Sequence, residues 1–298
     1  MSDTSHHHGR DIPIIHAMAD MDTARFSRRA FMLMAACMSS CSAAAPLATL
    51  KTPSNPNYRT PQPGGPIPRN PDMPYSWNFP SGIGPSFSRV LVSGKYVAMT
   101  FDDGPHPQNT PRLLDILRAR NVKATFYVIG RSVDLYPQLV RRTVAEGHEV
   151  GNHSHTHRLL TKLGDSELRT EMQRCRDAVS RAAGVRMRTM RPPYGGLLQR
   201  QRQLVMDEFG YPTILWAVDP LDWKRPGPSV VTSRILGNTS PGAIILAHDL
   251  HAPTVDAMPA TIDGLLRRGY QFVTVSQLLA MKTDEATAQA SATGAASF

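Results

Sequence analysis

The chain predicts an α/β fold of parallel strands backed by helices, and three observations predict it. Short apolar runs recur at Tyr96–Phe101, Ala124–Ile129, Glu149–Gly151, Thr189–Pro192, Thr213–Val218, Ala243–Ala247 and Gln271–Thr274. Longer segments with helical start signals separate them, the alternation that parallel strands with external crossover helices require. Residues able to do chemistry follow the runs directly, where α/β barrels carry their active sites.

Taken in order, the first run is a buried strand because Val97, Ala98, Met99 and Phe101 are apolar and Gly104-Pro105 then breaks it. Thr110-Pro111 reads as the N-cap and first position of the helix that follows. Asp165 reads as the cap of a long helix to Ala183 whose Arg and Glu face is solvated. Seven strand-like runs are counted in this way.

The chemistry begins at Asp102 and Asp103 in Thr100-Phe101-Asp102-Asp103-Gly104. Adjacent residues on an extended chain point to opposite sides, so one carboxylate is free to bind a metal while the other faces the reacting water. About fifty residues later comes His153-Ser154-His155-Thr156-His157. His153 and His157 are four apart, a spacing that lets both imidazoles reach one ion. With one Asp they leave coordination positions open, which separates a catalytic from a structural zinc site, and a water on such an ion has a pKa of roughly 7. Alone, a tandem Asp is a turn and a His-rich loop is solvated surface. Three further segments change that balance: Arg191-Pro192-Pro193-Tyr194-Gly195, Asp219-Pro220-Leu221-Asp222-Trp223 and Leu246-Ala247-His248-Asp249.

These five motifs, in this order, resemble the polysaccharide deacetylases of carbohydrate esterase family 4, from about Lys95 to about Leu279. The resemblance implies a distorted, incomplete (β/α) barrel of about seven parallel strands, with all five motifs at one mouth. It implies Asp103, His153 and His157 as metal ligands and Asp102 as general base, paired with and oriented by Arg191. The backbone N–H of Tyr194 would hold the oxyanion, with Pro192 and Pro193 stiffening its approach. His248 resembles the general acid, which an amide needs because an amine leaves poorly unless protonated, and Asp222 its orienting partner. Trp223 and Leu246 would line the pocket for the acetyl methyl, a role compatible with ordinary core packing. His155 and Asp249 receive no role beyond shaping loops, and Asp219 reads equally as structural. Zinc is the ion by ligand type; cobalt, nickel or iron(II) suit the same donors.

Outside this stretch, residues 1–48 form an N-terminal extension that includes Ser27-Arg28-Arg29-Ala30-Phe31-Met32, a twin-arginine-type export signal followed by an apolar, small-residue stretch to Cys41. Export to the periplasm or cell envelope is therefore expected, with Cys37 or Cys41 as a membrane tether by lipidation. Cleavage after Cys41 would leave Cys175 alone, so no internal disulfide is expected. His6-His7-His8 are not counted as ligands. Residues 49–92 read as a Pro-rich linker, ten of the forty residues from Lys51 to Val90 being proline, with Tyr75, Trp77 and Phe79 near its end. The catalytic domain spans 93–281, and 282–298 is a disordered tail.

The formal charge is +9, and the first 48 residues, with four Arg and four Asp, do not alter it. Such a chain is drawn to anionic polymers, but the Arg residues are scattered and no nucleic-acid motif appears. The expected partner is an acetylated polysaccharide, the expected state a monomer. The leading function is N-deacetylation of an N-acetylglucosamine-containing chitin-like or peptidoglycan polymer. Alternatives are O-deacetylation of a polysaccharide such as xylan and a non-catalytic glycan-binding module; an iron(II) oxygenase is disfavoured by the adjacent free Asp and the missing cosubstrate pattern.

Overall fold

Six of the seven residues of β2 (Tyr96–Asp102) are buried, as expected of a strand covered on both faces. The computed structural model of the protein describes residues 85–281. β3 (Thr125–Val128) runs parallel to the C-terminal half of β2, with Thr100, Phe101 and Asp102 opposite Thr125, Phe126 and Tyr127. β4 (Glu149–Asn152) continues the ladder beside β3. β6 (Ile244–Ile245) pairs with Ala98 and Met99, and β7 (Gln271–Phe272) with Tyr96 and Val97. β1 (Ser86–Phe87) pairs with β5 (Thr213–Ile214). Single parallel bridges carry the path onward: Met190 joins Asn152 to Thr213, and Val218 joins Ile245. All ladders between these strands are parallel, and the thin links make the barrel distorted and incomplete.

The helices are α1 (Asn109–Ala119), α2 (Gly130–Leu135), α3 (Pro137–Ala145), α4 (Asp165–Ala183), α5 (Gln199–Phe209), α6 (Pro228–Asn238) and α7 (Ala252–Arg267). Their inward faces show the expected helical spacing. α4 buries Leu168, Met172, Cys175, Val179 and Ala182, and α7 buries Val255, Met258, Ile262 and Leu265. Cys175 is free and buried. No helix among the described residues is long and apolar enough to cross a membrane.

Four expectations are revised. The strand at Thr189–Pro192 shrinks to the bridge at Met190, because Pro192 and Pro193 have no N–H for a ladder. Thr110 is not the α1 N-cap; the helix begins at Asn109, and His106 Nδ1 accepts the Gln108 and Asn109 N–H groups at 3.2 Å. Asp165 is the first residue of α4 rather than its cap, which is Gly164, with Glu167 accepting the Gly164 N–H at 3.2 Å. Residues 85–92, assigned to the linker, already belong to the domain. Phe87 and Val90 are buried there, and Val90 N–H donates to the Gly242 carbonyl at 3.0 Å. Averaging proline content over the segment hides this short packed end. The signal segment, Cys37, Cys41, the three-histidine run, Tyr75, Trp77, Phe79 and the tail lie outside the described residues.

Gly242 holds the entry segment against the barrel. It has φ +75, and a Cβ there would stand 1.7 Å from the Val90 carbonyl oxygen. Replacement would meet both strain and a backbone clash, so Gly242→Ala is expected to destabilise the protein by about 2 kcal/mol or more in urea unfolding. A change under about 0.5 kcal/mol would show that the segment does not pack here.

Candidate active site

Because β2, β3, β4 and β6 are parallel, their C-terminal ends point the same way, and Asp102 forms a parallel bridge with His248 beyond β6. The first motif supplies two carboxylates with different partners. Asp102 is 3% exposed, and its Oδ1 accepts Arg191 Nη1 at 2.7 Å. Asp103 turns the other way, with φ 75, and its Oδ1 lies 3.1 Å from His157 Nε2 and 3.4 Å from His153 Nε2.

Arg191 is fully buried. Its Nη1 also donates to Thr100 Oγ1 at 2.6 Å, its Nη2 to the Leu215 carbonyl at 3.1 Å and its Nε to the Ile214 carbonyl at 3.3 Å. The guanidinium carbon sits 4.4 Å from the Tyr127 ring centroid. Such a fork, matched by fixed acceptors and an aromatic face, suits Arg and not Lys. It holds Asp102 in one orientation.

His153 Nδ1 lies 2.7 Å from the Arg191 carbonyl oxygen. A carbonyl only accepts, so Nδ1 carries a proton and Nε2 is the ring nitrogen that faces Asp103. Burial alone would raise the Asp103 carboxyl, but contact with His153 and His157 outweighs it and holds the group far below the usual carboxylate range. Yet Asp103 Oδ1 makes no hydrogen bond. One ligand atom each from Asp103, His153 and His157 lies within 4.8 Å of the others. A carboxylate oxygen and two imidazole nitrogens converging in this way are a donor set a divalent cation takes, so these residues fit one.

His248 faces this cluster from the β6 end. Its Nδ1 is 2.9 Å from Asp222 Oδ1, and its backbone N–H donates to Asp222 Oδ2 at 2.8 Å. Thr254 donates to the same Oδ2 at 2.9 Å. Burial would push the His248 pKa down, but the Asp222 hydrogen bond and charge raise it to about 9. Pro193 is buried at the start of a short 3-10 turn, and Tyr194, at φ 59, exposes 70% of its surface while its ring meets His157 edge-on at 4.8 Å. Trp223 is 51% exposed beside Asp222, and Leu246 is buried two residues before His248.

Several supports were not visible as motifs. Glu171 is buried among the apolar positions of α4, although the Arg and Glu residues of that helix were expected to be solvated. Its carboxylate accepts the His155 and Thr156 N–H groups at 2.8 Å each and the Thr156 hydroxyl at 2.6 Å. Asn152 Oδ1 accepts Ser154 N–H, and Ser154 Oγ accepts His157 N–H at 3.0 Å. The only available signal was a Glu lying among the apolar positions of α4. His155 packs against Gly130, where a Cβ would stand 2.4 Å from its Nδ1, so its ring shapes the loop. Asp249 is fully buried under Gly104, accepts the Thr110 hydroxyl, and is pushed up to about 7 by burial. Asp219 accepts the Leu221 N–H at 2.8 Å, a structural role.

The polysaccharide deacetylase family model matches residues 90–214. A peptidoglycan-N-acetylglucosamine deacetylase of Listeria monocytogenes is 42% identical over 190 residues, covering 64% of this chain. The chain spans 40% of that relative's length. A chitooligosaccharide deacetylase of Bradyrhizobium is 39% identical over 203 residues, covering 63% of this chain and 92% of the relative. Among solved structures, a CE4 family pseudoenzyme from Bacillus anthracis is similar with a TM-score of 0.63 and 33% identity, covering 66% of this chain and 69% of that one.

Glu171→Ala would strand two backbone N–H groups, each costing about 1–3 kcal/mol if buried and unpaired. It is expected to lower stability in chemical unfolding and to weaken divalent-cation binding in a metal titration. Unchanged metal affinity would separate this clamp from the His153–His157 loop.

Proposed function

The chain belongs to the polysaccharide deacetylase family, and from that premise we propose that it is a metal-dependent hydrolase removing N-acetyl groups from an N-acetylglucosamine-containing polysaccharide or oligosaccharide, chitin-like or peptidoglycan. One observation carries the reading. Asp102 and His248 lie on neighbouring strand ends, each locked by an opposite charge, Arg191 and Asp222, beside three convergent ligand atoms.

Asp103, His153 and His157 hold the cation, zinc by ligand type. When bound, it supplies Lewis acidity, polarising a carbonyl oxygen and bringing the pKa of a water to roughly 7. Asp102 takes a proton from the water that adds to the acetyl carbon, its orientation set by Arg191. The Tyr194 N–H receives the developing oxyanion; one such preorganised donor contributes about 3 kcal/mol. His248 gives its Nε2 proton to the sugar nitrogen as the C–N bond breaks, with Nδ1 held by Asp222, so acetate and a free amine leave. Trp223 and Leu246 bound the space for the acetyl methyl.

O-deacetylation would use the same residues with an easier leaving group; what supports the amide is the relatives named for peptidoglycan-N-acetylglucosamine and chitooligosaccharide deacetylation. A pseudoenzyme among the similar structures shows that the fold alone does not decide turnover. Binding alone requires neither a base nor an acid, and both side chains are present here with their partners. The twin-arginine-type segment supports export to the periplasm or envelope, with Cys37 or Cys41 as the lipid attachment point.

Acetate release from chitooligosaccharides and peptidoglycan, abolished by a chelator and restored by added zinc, tests the reading; release insensitive to chelation would refute the metal assignment. Asp102→Asn is expected to lower kcat by about 10²–10⁴-fold with metal retained, whereas His153→Ala loses the metal. Near-full activity of Asp102→Asn would remove Asp102 as the base.

The pH profile follows from His248. Its pKa is raised, so the acid form is present below about 9 and lost above it. The alkaline limb of kcat/KM is expected no higher than about pH 9, and Asp222→Asn moves it toward the ordinary histidine value of about 6.5. An unmoved limb would exclude His248 as the titrating acid.

A further inference from the structure

A groove of about 520 Å³ leads away from His157, lined further by Arg158, Leu159, Lys162, Leu163 and Tyr194. Tyr194 and Leu159 expose apolar surface there, on which the C–H face of a sugar ring can lie while its hydroxyls remain hydrated. The groove therefore continues from the proposed metal ligands to a surface able to take a neighbouring sugar.

Its charges are unequal. Arg158 is paired with Glu167 at 3.0 Å, so much of its charge is already answered. Lys162 is exposed, and its ammonium has no hydrogen bond or ion pair among the described residues. It ends the turn Leu160–Lys162, which is pinned from beneath by the buried Gln201 side chain. Gln201 Nε2 donates to the Leu160 carbonyl at 2.8 Å and the Leu163 carbonyl at 3.2 Å. The Lys162 stem thus rises from a fixed backbone. On the acid side of the site, Trp223 is half exposed with Lys224 Nζ 4.9 Å from its ring centroid, and Arg225 follows. The nearby carboxylates are engaged, Asp219 with the Leu221 N–H and Asp222 with His248. Exposed aromatic surface beside cations borders the site at both places, with Lys162 the cation that has no hydrogen bond or ion pair among the described residues.

We propose that the groove beyond His157 binds a sugar carrying a carboxylate, next to the sugar that loses its acetyl group, and that Lys162 is the residue that recognises this acid. The inference rests on the deacetylase reading for the reaction and adds the charge class of the substrate. Lys162 acts through a solvent-exposed charge pair, so its effect is modest and screened by salt.

The test compares chitotetraose with the same oligosaccharide oxidised to carboxylates at its primary hydroxyls, and with peptidoglycan glycan strands freed of stem peptides, whose carboxylate sits on a lactyl ether. Kd and acetate release are measured on the full chain at low and high salt. The expected result is an acidic-over-neutral preference of about two- to fivefold at low salt, shrinking as salt rises and collapsing toward unity in Lys162→Gln. Lys95→Gln makes the same change in net charge at the opposite end of β2, and should keep the preference. Equal Kd values for acidic and neutral sugars, or an equal loss of preference in both variants, would overturn the proposal. Acid-selective binding without acetate release would leave it standing and refute the deacetylase reading instead. The arm that shows the preference, uronic or lactyl, tells where the recognised carboxylate sits.

Discussion

The ion pair between Arg191 and Asp102 is the interaction on which the rest of the site depends. Both residues are buried, and removing one partner of such a pair leaves an uncompensated charge costing about 3–5 kcal/mol. The pair persists because the guanidinium is answered on nearly every side, by Thr100 Oγ1, the Ile214 and Leu215 carbonyls and the Tyr127 ring. Thr100 in turn donates to the Ile245 carbonyl at 2.7 Å. One polar network therefore joins β2, the segment after Met190, the end of β5 and β6. Those are the places where the barrel ladder is thinnest.

The Arg191 backbone extends that network to the ligand cluster. Its carbonyl oxygen sets the His153 tautomer, and its N–H donates to the Asn152 carbonyl at 2.9 Å. The residue proposed to orient the base thus also orients a proposed ligand, which couples the two halves of the chemistry geometrically.

Around this rigid centre the loops are held in uncommon conformations. Asp103, Ser154, His157 and Tyr194 all have positive φ, a region non-glycine residues enter at a cost of order 1–3 kcal/mol. Surrounding contacts stabilise these turns: Glu171 and Asn152 beneath the histidine loop, and Asp249 beneath Gly104. Strain gathered at several adjacent loops, with buried acceptors holding the backbone, is the pattern of a preorganised site. It also explains why α4 carries a carboxylate on a face that its periodicity assigns to the core.

The alternation of apolar runs with helical segments determined the α/β class, because periodicity is a property of neighbouring residues and survives without a structure. The five motifs carried the resemblance that implies Asp102, Asp103, His153, His157, Arg191, Asp222 and His248 as one site, and their placement after or within the runs agrees with it, since parallel strands bring their C-terminal ends to one side. Tertiary structure alone decided the rest. Whether Met190 forms a strand or a single bridge depends on partners distant in the chain and on prolines that cannot donate. Glu171 could be recognised as a loop clamp only once α4 packed beneath residues 155 and 156. The resemblance implied different roles for Asp102 and Asp103; only the structure shows which neighbour reaches each carboxylate, Arg191 at Asp102 and the two imidazoles at Asp103, a matter of three-dimensional reach that spacing along the chain does not encode.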